Sequence, residues 1–436
     1  MTTAGGMGRR RFLRAVGTGA LGLGGLLGAC GALQPAAPTA TPLAETTITI
    51  WNWIDEALTG LLQNFEQANP GIRVRAERYS YDRAHRQLLS ALESGSGAPD
   101  VFITDLDSLG GLRGRPGLAD LGGPPFDGAR LRGDILPQLW DHVAFEGRVV
   151  ALPWNVGVGV AWYRADVLQA AGLPVEPETL REQARGWDGW LALDEALRRK
   201  SQQATLVAES LPLFPVAVEQ RGHGWVERGR LLVEEKGVPA AELVAALHER
   251  DVPPELAGGA FARRMVEGEI AGMVNGSWMQ FFLQRDFQAT AGKWRLARAP
   301  GGDFLSGALF LLIPQQSQHQ EAAWAFLRHM CASPEGQNTT FAATGALPAY
   351  RPAWNDPLYD RPVEFFGGQP AYRLLTQAAA ELPAGTLSPF DQQIDRIVRQ
   401  QAERVARGDK GPDEAMADAA AEVRKQIPEL AKSLSE

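Results

Sequence analysis

The chain has 436 residues, of which 45% are hydrophobic and 22% charged, and its formal net charge is −8. That length exceeds one average domain and suits two lobes of roughly 150–200 residues each, while the composition is that of a globular rather than a disordered chain. An acidic balance without a basic run excludes nucleic acid as a partner, and Gly 48 with Pro 29 announces many loops.

The first segment reads as a leader. Gly8-Arg9-Arg10-Arg11-Phe12-Leu13-Arg14 resembles the twin-arginine export motif, with glycine where serine or threonine is usual, which makes Arg9 and Arg10 the export signal. The apolar run from Ala15 to Ala29 is too short for a spanning helix of ~20 residues. It closes on Leu27-Gly28-Ala29-Cys30, which resembles a bacterial lipobox. Small residues there let a peptidase grip an extended backbone, and the Cys30 thiol is the group a thioether lipid would need. A general-secretory leader or a plain anchor helix is the alternative. Gly17 to Gly22 spells G-x-G-x-x-G, but no strand precedes it and it lies in a segment that is removed, so the dinucleotide reading is discarded. Loss of the leader's four arginines takes the formal charge from −8 to −12. With Cys30 acylated, only Cys331 remains, so no internal disulfide is expected and Cys331 reads as a buried thiol. Residues 31–45 are rich in Pro, Ala and Thr, a tether that could reach roughly 45 Å if extended.

The folded part begins with a strand at Thr46 to Trp53. Leu58, Leu61, Leu62, Phe65 and Ala68 recur at helical spacing, and Asn69-Pro70-Gly71 stops that helix. A strand follows at Ile72–Ala76, a helix at Asp82–Glu93, a loop over 94–99 and a strand at Asp100–Thr104. This β-α-β-α-β order predicts a parallel sheet covered by helices. Ligands bind outside the carboxyl ends of such strands, which puts Trp53, Asp55, Glu56, Thr104, Asp105 and Asp107 on one rim. Phe145 to Ala151 reads as a hairpin turning at Glu146-Gly147. Leu152-Pro153 is expected to end its second strand, because proline gives no N–H to a ladder. Trp154 and Asn155 then sit at a break before a strand from Val156 to Tyr163, placing them at a crossing between lobes or, in the plainer reading, in an ordinary strand pair. Residues 392–406 and 412–426 form a helical C-terminus.

Several of these pieces resemble the extracellular solute-binding proteins of ABC transporters, in the branch that takes mostly oligosaccharides. They include Ile48-Thr49-Ile50-Trp51, Phe65 to Ile72, Gly97-Ala98-Pro99-Asp100-Val101, Leu152 to Gly157, Trp162 to Leu168 and Ala171-Gly172-Leu173-Pro174. Phe261 to Met273, Asn275-Gly276-Ser277-Trp278, Ser333 to Gln337 and Thr344 to Ala349 continue the match to near the end. The resemblance implies a two-lobed periplasmic-binding-protein-like α/β fold, each lobe a mostly parallel sheet flanked by helices and joined by hinge strands. It divides the chain into a leader (1–29), a lipidated cysteine and tether (30–45), lobe 1 (46–156 and 308–352) and lobe 2 (157–307 and 353–436). Asp303 to Ile313 is the expected second crossing, and a third lies near Arg351-Pro352. Between Trp187 and Phe261 the chain is shorter and more poorly patterned than the family's usual second lobe.

The resemblance also implies a ligand site. Trp154, Trp278, Trp53 and Trp225 are candidates because an indole face matches the C–H face of a pyranose. Asp55, Glu56, Asp107 and Asn155 are candidates because carboxylates and amides pair with vicinal hydroxyls. Gly307 either lets a ligand approach the backbone or serves as a hinge. Trp140, Trp162, Trp190 and Trp324 sit in amphipathic patterns and read as core. No H-E-x-x-H, G-x-S-x-G, P-loop or C-x-x-C is present, and the six histidines show no pair at ligand spacing, so neither a cofactor nor a metal is expected. The implied role is a lipid-anchored, monomeric receptor on the outer face of the cell membrane, passing a sugar to ABC permease subunits. Other readings are a receptor for glycerol phosphate or a polyamine, and a secreted glycan hydrolase using a carboxylate pair such as Asp105 and Asp107.

Overall fold

The computed structural model describes residues 45–53, 57–201, 203–256 and 260–434. The expectations for Arg9, Arg10, Cys30, Asp55 and Glu56 lie outside these residues. In chain order the described strands are β1 (Thr46–Asn52), β2 (Ile72–Arg78), β3 (Val101–Asp105), the hairpin β4 (Ala144–Phe145) and β5 (Arg148–Val149), and β6 (Leu152–Arg164). The hairpin β7 (Val226–Glu227) and β8 (Arg230–Leu231) follows, then β9 (Gly272–Gly276), β10 (Trp294–Arg298), β11 (Leu305–Leu312) and β12 (Leu347–Pro348). One sheet runs in the order β10-β6-β11-β3-β1-β2, with β9 and β12 also paired to β6.

The first half follows its sequence pattern closely. β1 pairs parallel with both β2 and β3. The helix Ala57–Ala68 ends one residue before Asn69-Pro70-Gly71, and Tyr81–Ser94 ends on Gly95 in the left-handed region. Leu58, Leu61, Leu62 and Phe65 fall on the buried side of the first of these helices, against the face of β1 that carries Ile48 and Ile50. Such burial is worth roughly 1.5–3 kcal/mol per large side chain.

β6 is the spine. All of its 13 residues are buried. Its near half pairs antiparallel with β11 and β12, and its far half pairs antiparallel with β9 and β10. Along the far half the side chains alternate between two cores. Val160 and Trp162 join the cluster that also contains the β1–β3 side, while Ala161 and Tyr163 join a second cluster with the helices Val233–His248, Asp391–Ala406 and Pro412–Gln426.

Two expectations need correction. Pro153 does not end a strand, because β6 runs through it. It lies opposite Phe310, beside the register shift between Leu309 and Phe310, so the ladder is already irregular where its missing N–H would count. A mostly parallel sheet holds for β1–β3 and fails in the second half, where β9 and β10 both run against β6. Among the described residues a parallel neighbour there is reduced to the single bridge Thr205↔Ile270. The segment after Thr205 soon reaches Pro212 and Pro215 and cannot extend a ladder.

After β12 the chain passes through short turns to the helix Ala371–Ala380, which packs on β6 and β10. Residues 382–390 then form a strap between the halves. On one side Gln138 Nε2 donates to Leu382 O (2.7 Å) and Arg113 donates to Leu387 O. On the other, Thr386 N donates to His223 O (2.9 Å) and Thr386 Oγ1 to Val226 O (2.8 Å). Among the described residues no helix is long and apolar enough to cross a membrane. Cys331 is free and buried, and burial holds its thiol well above the ordinary range.

Candidate functional site

A cavity of about 400 Å³ opens where five parts of the chain converge, Asn275 of β9 among them. Leu106 and Asp107 come from the helix Leu106–Arg113 after β3. Pro212 to Trp225 supply a second wall, Phe304 to Gly307 enter with β11, and Asp395, Val398 and Arg399 come from the helix Asp391–Ala406. The volume lies in the range of small-molecule sites. Apolar surface from Phe214, Phe304, Leu305 and Val398 alternates with acids and amides.

Asp107 faces the cavity because the N-cap places it there. Asp105 Oδ1 accepts from Ser108 N (3.0 Å), which starts the helix and turns the next acid outward. Asp105 also accepts from the Tyr81 hydroxyl (3.1 Å), so the two acids have separate duties. Asp395 lines the same cavity and accepts from Trp225 Nε1 at 2.5 Å, while Trp225 N donates to Asp391 Oδ1 (2.9 Å). Both cavity acids are exposed on one side, yet protein surrounds them closely on the others. Burial, then the Asp105 charge, pushes Asp107 up to about 6. Burial, together with the charges of Asp107, Glu219 and Asp391, pushes Asp395 up to about 7 against the Trp225 hydrogen bond. Carboxyls poised there can accept from, or donate to, a neutral hydroxyl.

Gly307 lines the same cavity. It adopts φ +85° inside the register shift between Leu305 and Ala308, and a Cβ there would meet nothing within 4 Å. Glycine is therefore required by the backbone of the bulge, not by crowding. Trp278 lies next to it: its indole covers Gly276, and a Cβ on Gly276 would fall 2.2 Å from Trp278 Nε1 and 2.5 Å from Ser306 Oγ. At 37% exposure Trp278 offers open ring surface beside the rim, edge-to-face with Phe282 at 5.9 Å.

Other expected residues take different places. Trp154 is 2% exposed, lies in the main core and donates Nε1 to Thr340 Oγ1 (3.3 Å), so it is a packing residue with its polar edge already used. Asn155 is buried too, and its Oδ1 accepts from Leu309 N (3.2 Å), repairing the ladder at the second irregularity of β11. Trp53 is half-buried against Tyr81 (5.2 Å) and His85 (4.8 Å) and reaches the site only at one remove, through the Tyr81–Ser108 contact of 2.7 Å. Trp225 lines the cavity but is 3% exposed, and its Nε1 is already engaged by Asp395.

Glu219, His223, Asn275, Ser306, Asp395 and Arg399 line the cavity without having been singled out from sequence. Asp395 and Arg399, four apart on an amphipathic helix, look like any solvated face. Gly222-His223-Gly224-Trp225 carried the better signal, since two glycines around a histidine in a non-repeating stretch mark a constrained loop.

A family profile described as "Bacterial extracellular solute-binding protein" matches residues 60–366. The arabinooligosaccharide-binding protein of Halalkalibacterium halodurans is 24% identical over 351 residues, covering 75% of this chain and 76% of its own length. The lactose-binding protein of Rhizobium radiobacter is 23% identical over 378 residues, covering 80% and 86%. Among solved structures, an extracellular solute-binding protein of family 1 superposes with a TM-score of 0.75 at 19% identity, over 89% of this chain and 99% of that one. The GacH receptor of Streptomyces glaucescens superposes with a TM-score of 0.71 at 22% identity, over 87% and 98%. Structural likeness at these identities establishes the two-lobed α/β fold.

Proposed function

The chain belongs to the bacterial extracellular solute-binding proteins, and we propose that within them it is a lipid-anchored receptor that captures a carbohydrate-like solute between two lobes and delivers it to an ABC permease. The observation that carries this reading is the cavity itself. Asp107 and Asp395 line it with hydroxyl-pairing groups beside apolar surface from Phe214 and Phe304, and Trp278 is exposed nearby, against Gly276. Two curated relatives whose names state an oligosaccharide or a disaccharide support it. The family's location places its work outside the cytoplasm; Arg9, Arg10 and the acylated Cys30 would supply export and anchor. Lobe 1 would comprise residues 46–156 and 308–352, and lobe 2 residues 157–307 and 353–436, in a monomer.

In this account the solute touches both walls only when the lobes close, and so shifts the balance toward closure. Micromolar affinity corresponds to about −8 kcal/mol, whereas reversing a 1:99 open preference takes roughly 5.5 kcal/mol of differential binding. A single solute can therefore both bind and close the cleft. The hydrolase reading loses its sequence-level pair, because Asp105 is engaged as a helix cap. A polyamine receptor draws on the three cavity acids Asp107, Glu219 and Asp395, while glycerol phosphate would meet only Arg399 and His223 as cations.

A thermal-shift screen with arabino-oligosaccharides, lactose, maltotriose, glycerol phosphate and spermidine tests the reading, since a ligand selective for the folded form raises its Tm. A sugar should raise it and be recovered unchanged after incubation. A response to spermidine alone, or cleavage of the sugar, would replace the proposal.

A further inference from the structure

We propose that His223 is the charged hydrogen-bond donor through which the cleft reads an acceptor oxygen of its solute. This rests on the receptor reading above and narrows it to ligands that meet a fixed imidazolium. The loop that carries His223 is built around it. Gly222 and Gly224 have φ values of +88° and +85°, and a Cβ on either would fall 2.2 Å from Ala384 O or 2.5 Å from Thr386 O. Lys236 Nζ, itself buried, donates to Gly222 O (2.7 Å) and Gly224 O (2.6 Å), and Thr386 N donates to His223 O (2.9 Å). A backbone held from both sides leaves the imidazole little freedom. The residue is 7% exposed and lines the cavity with Glu219 and Trp225.

One ring nitrogen is accounted for and the other is not. Nδ1 lies 3.0 Å and 3.2 Å from the two carboxylate oxygens of Glu219, and a carboxylate accepts, so the Nδ1 position carries hydrogen. Nε2 is buried and has no hydrogen-bond partner among the described residues. A buried polar atom left unpaired is costly, and more so on a charged ring. His223 lines the cavity, so closure of the protein around a solute can bring this atom its partner.

The surrounding groups decide the charge. Burial opposes the cation, while Glu219 at the end of the helix Leu213–Glu219, Asp391 on the helix Asp391–Ala406 and Asp107 on the helix Leu106–Arg113 favour it. Together they hold His223 up at about 9. Lys236 on the helix Val233–His248 and Arg113 on the helix Leu106–Arg113 are the neighbouring cations. His142, on the helix Pro137–Val143, stands edge-on to His223 with ring centroids 5.6 Å apart. Burial, then the charges of His223 and Arg113, drive it down to about 3, so it is the neutral member of the pair. Asp395 and Arg399 complete the charged lining of the cavity. The strap facing the loop, Ala384 to Ser388, brings no ionisable side chain. An imidazolium Nε2–H in this position suits a hydroxyl, ether or carbonyl oxygen of a sugar.

The test is titration calorimetry with whichever of arabino-oligosaccharide, lactose or maltotriose binds the native protein, at pH 7 and pH 10, on native, His223→Phe and His223→Gln forms. His223→Phe should weaken binding at least about tenfold at pH 7, and His223→Gln, which keeps an N–H donor, should weaken it less. Native affinity should fall between pH 7 and pH 10 toward that of His223→Phe, while the two variants change much less over the same interval. Unliganded Tm values report whether each variant is folded. If His223→Phe does not fold, His223→Gln and the native pH profile decide. Affinity within twofold of native for His223→Phe, or parallel pH profiles in all forms, would overturn the inference alone. Absence of binding to every sugar by the native protein would overturn the receptor reading and this inference with it.

Discussion

Replacing Asp395 by Asn separates a ligand-binding acid from a structural one. The native carboxyl is pushed up to about 7 by burial and by the neighbouring acids. Its folded pKa thus lies above its unfolded value near 3.9. The folded state binds the extra proton between those values, so this group lowers stability as pH rises from about 4 to 7, and the loss is complete above 7. Unscreened, the gap between these two values would amount to ~4 kcal/mol. Cavity water screens an exposed carboxylate, which reduces the expectation to about 1 kcal/mol. Asp395→Asn should therefore raise the Tm of the empty protein by ~2 °C at pH 8 and leave it unchanged at pH 4.5. The amide oxygen can still accept from Trp225 Nε1. The same change should weaken sugar binding about tenfold, because a charged partner for solute hydroxyls is lost. Differential scanning fluorimetry at the two pH values, followed by calorimetry, reads both effects. A lower Tm at pH 8, or affinity equal to native, would refute the assignment of Asp395 to the site.

Trp154→Phe should reduce stability by ~1–3 kcal/mol in urea denaturation, through lost volume and the lost bond to Thr340, and leave affinity within twofold; a large loss of affinity would return Trp154 to the ligand site. Lys236→Met strips the donor from two loop carbonyls and should cost about 2–4 kcal/mol, with weaker binding as the loop loosens, read by fluorimetry and calorimetry together. Gly307→Ala meets no steric obstacle but must hold φ +85°, so it should destabilise by ~1–2 kcal/mol in the same denaturation assay.

The first half of the fold was legible because its periods are clean. Leu58 to Ala68 keeps one apolar stripe, Asn69-Pro70-Gly71 stops it, and Ile72 to Ala76 opens a strand. The hairpin at Glu146-Gly147 was legible for the same reason, since both residues take positive φ there. Pro153 misled, because its cost depends on whether the partner ladder is regular, and that is a property of β11 rather than of β6. Trp154 and Asn155 misled in a related way: an indole and an amide look alike whether their polar edge meets a solute or meets Thr340 and Leu309. The second wall was hidden for a different reason. His223 and Asp395 lie some 170 residues apart in sequence, as do the partners of the Trp225–Asp395 bond, and are brought together by the strap and the helix that follows it; no local period encodes a meeting at that range.

The most direct test of the account is a crystal structure of the protein with the tightest-binding sugar of the panel. The account predicts a sugar ring between Asp107 and Asp395, within hydrogen-bonding distance of both carboxyls and of His223 Nε2. A sugar bound elsewhere, with Asp107 and Asp395 both facing only water, would contradict it.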